Sequence, residues 1–186
     1  MKARNLAEQG ELGAEEEFRA AIDRNPSQTQ VRLALADFYL AKSRYQDALA
    51  ACLQELELDL YSNAAKLRLG HIYLELRDPQ KGLAYLQEGL KGIPEDANAH
   101  ADLARVYELL DQPEQAVGEY LRALKLDSTL NRVHYVLARI YRQLGKQDLA
   151  RSEQAVFREN EAREQREQVE SFQQLKRIPD LGRVVH

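Results

Sequence analysis

Apolar and small side chains along Ala97–Leu130 fall at helical spacing in two runs, separated by Asp111-Gln112-Pro113. In the first run Ala99, Leu103, Val106 and Leu110 stand at i, i+3 and i+4 with Tyr107 beside them, which predicts one face of an amphipathic helix. The second run carries Ala116, Val117, Tyr120 and Leu124 on a stripe of its own. Moving the frame by 34 residues in either direction returns the pattern. Tyr107 is matched by Tyr39, Tyr73 and Tyr141, and Leu103 by Leu35, Leu69 and Leu137. Ala104 is matched by Ala36, Gly70 and Ala138, and Ala116 by Ala48, Gly82 and Ala150. A short helical hairpin cannot cover its own apolar face, so a repeated hairpin must stack on the next copy.

This frame predicts an all-α chain divided at residues 1–28, 29–62, 63–96, 97–130, 131–162 and 163–186. The first stretch reads as half a repeat. Ala14, Phe18, Ala21 and Pro26 occupy second-helix slots, whereas Met1–Gln9 lacks the leucine, alanine and tyrosine of a first helix and is expected to fray. A chain that opens in mid-repeat predicts either a longer array or an apolar face that meets a partner. Four hairpins follow. Small residues such as Ala104 let paired helices approach closely. Asp78-Pro79 supplies a helix cap and a first-turn proline, Gly145 suits a left-handed helix end, and Pro26 and Pro94 close second helices. In the fourth hairpin Arg151, Gln154 and Arg158 replace Val117, Tyr120 and Leu124, and Phe157 fills a small slot. A terminal repeat needs such a polar outer face because nothing stacks on it.

Residues 158–168 contain almost no apolar side chain and no helix breaker. They are expected to prolong the last helix into solvent, supported by pairs such as Glu159–Arg163. Val169, Phe172 and Leu175 then resume a short stripe before Ile178-Pro179. That stripe is either a weakly apolar extension or a docking helix for a partner or second copy.

The whole chain has 186 residues, a net charge of −4 and 44% hydrophobic residues. This balance suits a folded core and lacks the excess of Lys and Arg that marks nucleic-acid binding. No apolar run reaches the ~18–20 residues of a membrane helix, and the start shows no apolar signal core. The lone Cys52 leaves the compartment open between cytoplasm and bacterial periplasm.

Leucine, small residue, tyrosine and alanine, in order and four times over, make residues 10–157 resemble the tetratricopeptide repeat (TPR) family. The family's first aromatic slot is occupied by Arg32, Lys66, His100 and His134, and Glu55 stands in a usually small slot. The resemblance implies an α-solenoid, a right-handed superhelix of antiparallel helix pairs, with an extended C-terminal helix. It also implies a concave groove, lined by first helices, that receives a peptide or a partner's helix. By that analogy the groove slots are Gln30, Leu33, Asp37 and Leu40, then Ala64, Leu67, Arg68, His71 and Glu75, then Asn98, Ala101, Asp102, Arg105 and Glu108, then Arg132, Tyr135, Val136, Arg139 and Arg142. Leu33, Asp37, Leu67 and His71 stand where a chaperone-type lysine-and-asparagine clamp would begin, so that variant is not expected.

Arg105, Arg132, Arg139 and Arg142 around Tyr135 suit an acidic segment through charge-assisted, bidentate bonds. The competing reading is that these arginines solvate the surface and pair with acids such as Asp102 and Glu108. No phosphate loop or metal-ligand motif appears. His71 and Glu75 give only two ligands a turn apart, His100 and His134 read as packing residues, and Cys52 reads as a buried structural thiol. The sequence therefore predicts a non-catalytic protein-interaction scaffold without cofactor, binding protein or peptide rather than nucleic acid or membrane. The alternative is a structural module that self-associates, or docks in a larger assembly, through its N-terminal face or C-terminal helix.

Overall fold

The computed structural model describes the backbone of residues 2–176 and the side chains of residues 13–173. Among these the chain forms α1 (Lys2–Arg24), α2 (Val31–Ala41), α3 (Tyr45–Leu58), α4 (Asn63–Glu75), α5 (Pro79–Gly92), α6 (Ala97–Leu109), α7 (Pro113–Leu126), α8 (Asn131–Gln143) and α9 (Gln147–Lys176), with no strand. It divides into a first unit ending at Leu126 and a second beginning at Asp127.

In the first unit α2–α3, α4–α5 and α6–α7 are hairpins, α1 lies on α2, and α4 touches both α2 and α6. Each hairpin closes where two small residues meet. Ala36, Ala48, Ala104 and Ala116 are all fully buried. In the middle hairpin both positions are glycine. A Cβ on Gly70 would run into Leu86 Cγ, and one on Gly82 would lie 3.3 Å from both the Gly70 carbonyl and Val106 Cγ2. Leu35, Ala36, Tyr39, Ala48, Cys52, Leu69 and Ile72 share one core cluster, and Leu67, Leu74, Leu86, Leu103 and Val106 another.

The turns inside the hairpins repeat as faithfully as the cores. Ser43, Arg77, Asp111 and Gly145 all adopt left-handed backbone, with φ of 56°, 63°, 57° and 70°. The amide that follows each donates to the carbonyl of the repeated tyrosine: Arg44 to Tyr39, Asp78 to Tyr73, Gln112 to Tyr107 and Lys146 to Tyr141. This 6→1 bond is the Schellman closure of a helix end. Glycine, the residue that adopts this conformation without penalty, occupies only the last of the four turns.

Helix starts are capped by Ser62, Asp78 and Asp96, whose side chains accept from Ala65, Lys81 and Ala99 amides at 3.4, 3.2 and 2.9 Å. α2 has no such cap. There the Gln30 amide donates to Glu55 Oε1 at 3.0 Å from the neighbouring helix. This explains a carboxylate in a slot that is glycine or alanine in the next two repeats: it supplies the acceptor that the α2 start lacks.

α1 differs from the sequence expectation in extent, being one helix from Lys2 rather than a frayed segment followed by a helix. Its residues are mostly strong helix formers, and Gly10 and Gly13 do not break it. Glu15 is buried, accepts from the Tyr39 hydroxyl at 3.0 Å and pairs with Arg44 at 2.5 Å and Arg19 at 2.6 Å. The Arg44 bond leads in holding its carboxyl below the ordinary range. Ala14, Phe18 and Ala21 are only half-buried, whereas Ala48, Cys52 and Glu55 in the next second helix are buried.

In the second unit α8 lays Val133, Leu137, Ile140 and Tyr141 into the hairpin with α9. Phe157 stands against Tyr135 with ring centroids 5.5 Å apart, so the bulky residue in a small slot has a partner. Beyond Asn160 every described side chain of α9 is exposed, Val169 and Phe172 at 55% and 57%. The 30-residue helix is about 45 Å long. Leu175's side chain, Ile178-Pro179 and the tail lie outside the described residues.

Two stability changes follow. Gly70→Ala, although a better helix former, should lower stability by about 1–3 kcal/mol through overpacking against Leu86. Arg77→Gly should raise it by up to about 1 kcal/mol, because relief of left-handed strain exceeds the entropy that glycine adds to the unfolded chain. Urea unfolding midpoints measure both.

Candidate binding groove

Successive first helices of the first unit turn one row of side chains to a common open cavity of about 550 Å3. Asp37 and Leu40 come from α2, Ala64, Leu67, Arg68 and His71 from α4, and Asn98, Ala101 and Asp102 from α6. Ile93 and Asp96, from the α5–α6 connection, also line it. The groove analogy did not anticipate these two, because it counts slots on helices and not on the loops between hairpins. Gln30, Leu33, Glu75, Arg105 and Glu108 do not line the cavity. Leu33 is buried, and Glu108 accepts from the Tyr120 hydroxyl at 2.6 Å within its own hairpin.

The basic residues of this face are engaged with acids on neighbouring helices. Arg68 Nε and Nη2 donate to the two carboxylate oxygens of Asp37 at 2.6 and 2.7 Å, and Nη1 donates to the Ala64 carbonyl. Arg105 donates to Glu75 at 2.8 Å and to Asp102 at 3.1 Å. His71 Nδ1 lies 2.7 Å from Asp102 Oδ2. A ladder of ion pairs thus crosses α2, α4 and α6. The Asp102 bond leads in raising the His71 pKa, against the opposing effect of burial, with Glu75 adding to it and Arg105 subtracting. Arg105 thus pairs with the Asp102 named from the sequence, and Arg68 with Asp37.

In the second unit Arg132, Tyr135, Arg139 and Arg142 are exposed on α8. Arg142 Nε donates to the Ala138 carbonyl at 3.1 Å, and Tyr135 rests on Phe157.

His100 and His134 are packing residues with a partner that the sequence reading missed. His100 Nδ1 lies 2.6 Å from Glu119 Oε2, and its Nε2 lies 3.0 Å from the Pro94 carbonyl. His134 Nδ1 lies 2.6 Å from Glu153 Oε2. The signal was present, since the two glutamates stand one period apart just as the two histidines do. Cys52 is fully buried, and desolvation pushes its thiol up to about 12.

Tetratricopeptide-repeat models match residues 1–65 and 73–140, together more than two-thirds of the chain. The chain belongs to the tetratricopeptide repeat family. Its solved neighbours share the fold. MamA superimposes with a TM-score of 0.76 at 19% identity, over 88% of this chain and 95% of that one. PilF of Pseudomonas aeruginosa gives 0.73 at 19%, over 83% and 71%. YrrB, described as a TPR protein with an unusual peptide-binding site, gives 0.70 at 23%, over 78% and 75%. No curated protein matches the chain. The fold is a TPR α-solenoid, and in general terms a protein-interaction scaffold.

The His71–Asp102 bond sets a pH dependence. His71's folded pKa lies above its unfolded value of about 6.5, so its contribution is fully present below that pH and is lost as pH rises through the folded value. The stability difference between wild type and His71→Gln should therefore be larger at about pH 6 than at about pH 8.5. Urea titrations at the two pH values check the sign.

Proposed function

We propose that this TPR protein is a non-catalytic scaffold that binds a peptide or helical segment along its first-helix face. The observation that carries this reading is the open cavity of about 550 Å3 shared by α2, α4 and α6. Its walls combine apolar Leu40, Leu67 and Ile93 with the polar edge of Asn98 and His71, the mixture that small binding clefts use for affinity and orientation. YrrB, with its peptide-binding site on the same fold, supports the assignment by analogy.

A separate preference for acidic segments is supported by the second unit on its own. Arg132, Arg139 and Arg142 are exposed on α8 around Tyr135, and guanidinium groups recognise carboxylates in two-point contacts.

Selection from a displayed library of random peptides, followed by calorimetry, tests the reading. Ala101→Arg should abolish binding with unchanged helicity, because it fills the groove from α6. Arg139→Glu combined with Arg142→Glu should weaken acidic peptides at least about tenfold, the scale of one charge-assisted bond. Equal binding by the filled groove overturns the proposal, and equal binding by the charge-reversed pair removes the α8 patch.

A further inference from the structure

We propose that His71 is the polar anchor of the groove, its imidazolium Nε2–H donating to a main-chain carbonyl oxygen of the bound segment. This rests on the groove reading above and adds to it the atom that holds the segment.

The ring is fixed from one side. Nδ1 faces Asp102 Oδ2 at 2.7 Å, and a carboxylate there holds the proton on Nδ1 and orients the imidazole. Nε2, at the other side of the ring, has no hydrogen-bond partner among the described residues. His71 lines the cavity with Leu40, Ala64, Leu67 and Ala101, and its side chain is 36% exposed. A polar atom without an intramolecular partner, set beside apolar wall residues, fixes the orientation of whatever lies there.

The surrounding charges select the kind of acceptor. α6 presents Asp102 and Arg105, and α4 itself presents Glu75 and Arg68. α2 contributes Asp37, which Arg68 closes, and the connection before α6 contributes Asp96. Four carboxylates face two guanidinium groups, both already paired. An incoming carboxylate would meet net repulsion, whereas a neutral carbonyl oxygen would not. The contact therefore reads backbone and not side-chain identity. It forms in the imidazolium, because the neutral ring with its proton on Nδ1 presents Nε2 only as an acceptor, and the donated bond is then charge-assisted. The bound segment in turn favours the protonated ring, so binding takes up a proton and tightens toward acid.

The test uses the full chain and a histidine-free peptide selected at about pH 6 from a displayed random library. Dissociation constants are measured at about pH 6, 7 and 8.5 for wild type and His71→Gln. Wild type should weaken roughly tenfold across this range, in keeping with loss of one charge-assisted bond, while His71→Gln stays flat. Removing the peptide's carboxylates, by amidated C-terminus and Asp or Glu to amide changes, should leave the wild-type profile intact. A profile shared by His71→Gln, tighter binding at alkaline pH, or loss of the profile with the peptide carboxylates overturns the inference and leaves the groove reading standing. A library that yields no binder overturns the groove reading and this inference with it.

Discussion

The close crossing of two helices within each hairpin is the constraint from which the other features follow. Small residues at Ala36 and Ala48, Gly70 and Gly82, and Ala104 and Ala116 remove the side chains that would separate the backbones. Once the axes are close, large residues such as Leu69, Leu86 and Val106 are left on flanking faces that one hairpin cannot cover. Those faces become the contact with the next hairpin. The Schellman turn sets the direction of return, and its bond to the tyrosine carbonyl ties the turn to the residue that begins the stack. Strain at Ser43, Arg77 and Asp111 is tolerated because this closure is required at every turn, whatever residue occupies it.

Stacking also decides what the exposed first-helix face can do. Equivalent slots on α2, α4 and α6 lie within reach of one another, so charges one repeat apart become neighbours. Asp37 meets Arg68, and His71 meets Asp102. Such partly exposed pairs contribute little to stability. They also leave the guanidinium groups of Arg68 and Arg105 already matched to carboxylates of the chain itself. What remains is a partly apolar channel in which carboxylates outnumber guanidinium groups.

The period, the helices and the crossing residues could be read directly from the sequence, because each depends on side-chain size and spacing within a unit. Gly145 announced its turn, whereas Ser43, Arg77 and Asp111 did not, since the conformation there is imposed by the closure and not by the residue. Arg68 and His71 could be placed on the groove by frame. Their pairing could not, because it depends on the stagger between repeats, which a repeat-by-repeat alignment does not carry. Glu55 looked like a packing fault and is a helix-start acceptor supplied from a neighbouring helix. Ile93 and Asp96 went unnoticed because the frame assigns function to helices and treats connections as spacers.

The other surface of the stack shows how far the scaffold alone determines shape. A cleft lined by Gln87, Leu90, Lys91, Leu103, Tyr107, Glu119 and Arg122 has a counterpart two periods earlier at Arg19, Ile22, Asp23, Leu35, Tyr39, Ala51 and Gln54. These seven slots agree, whereas Pro94 and His100 in the one and Asp47 and Ala50 in the other have no counterpart. The chemistry differs as well: Glu119 holds His100 in one cleft, and Ala51 stands in the same slot of the other. Repetition thus reproduces hollows as well as cores, and a hollow by itself says nothing about a ligand. What distinguishes one site from its copies is the substitution that breaks the period. On the groove face that substitution is His71, which stands where the other first helices carry Asp37, Arg105 and Arg139.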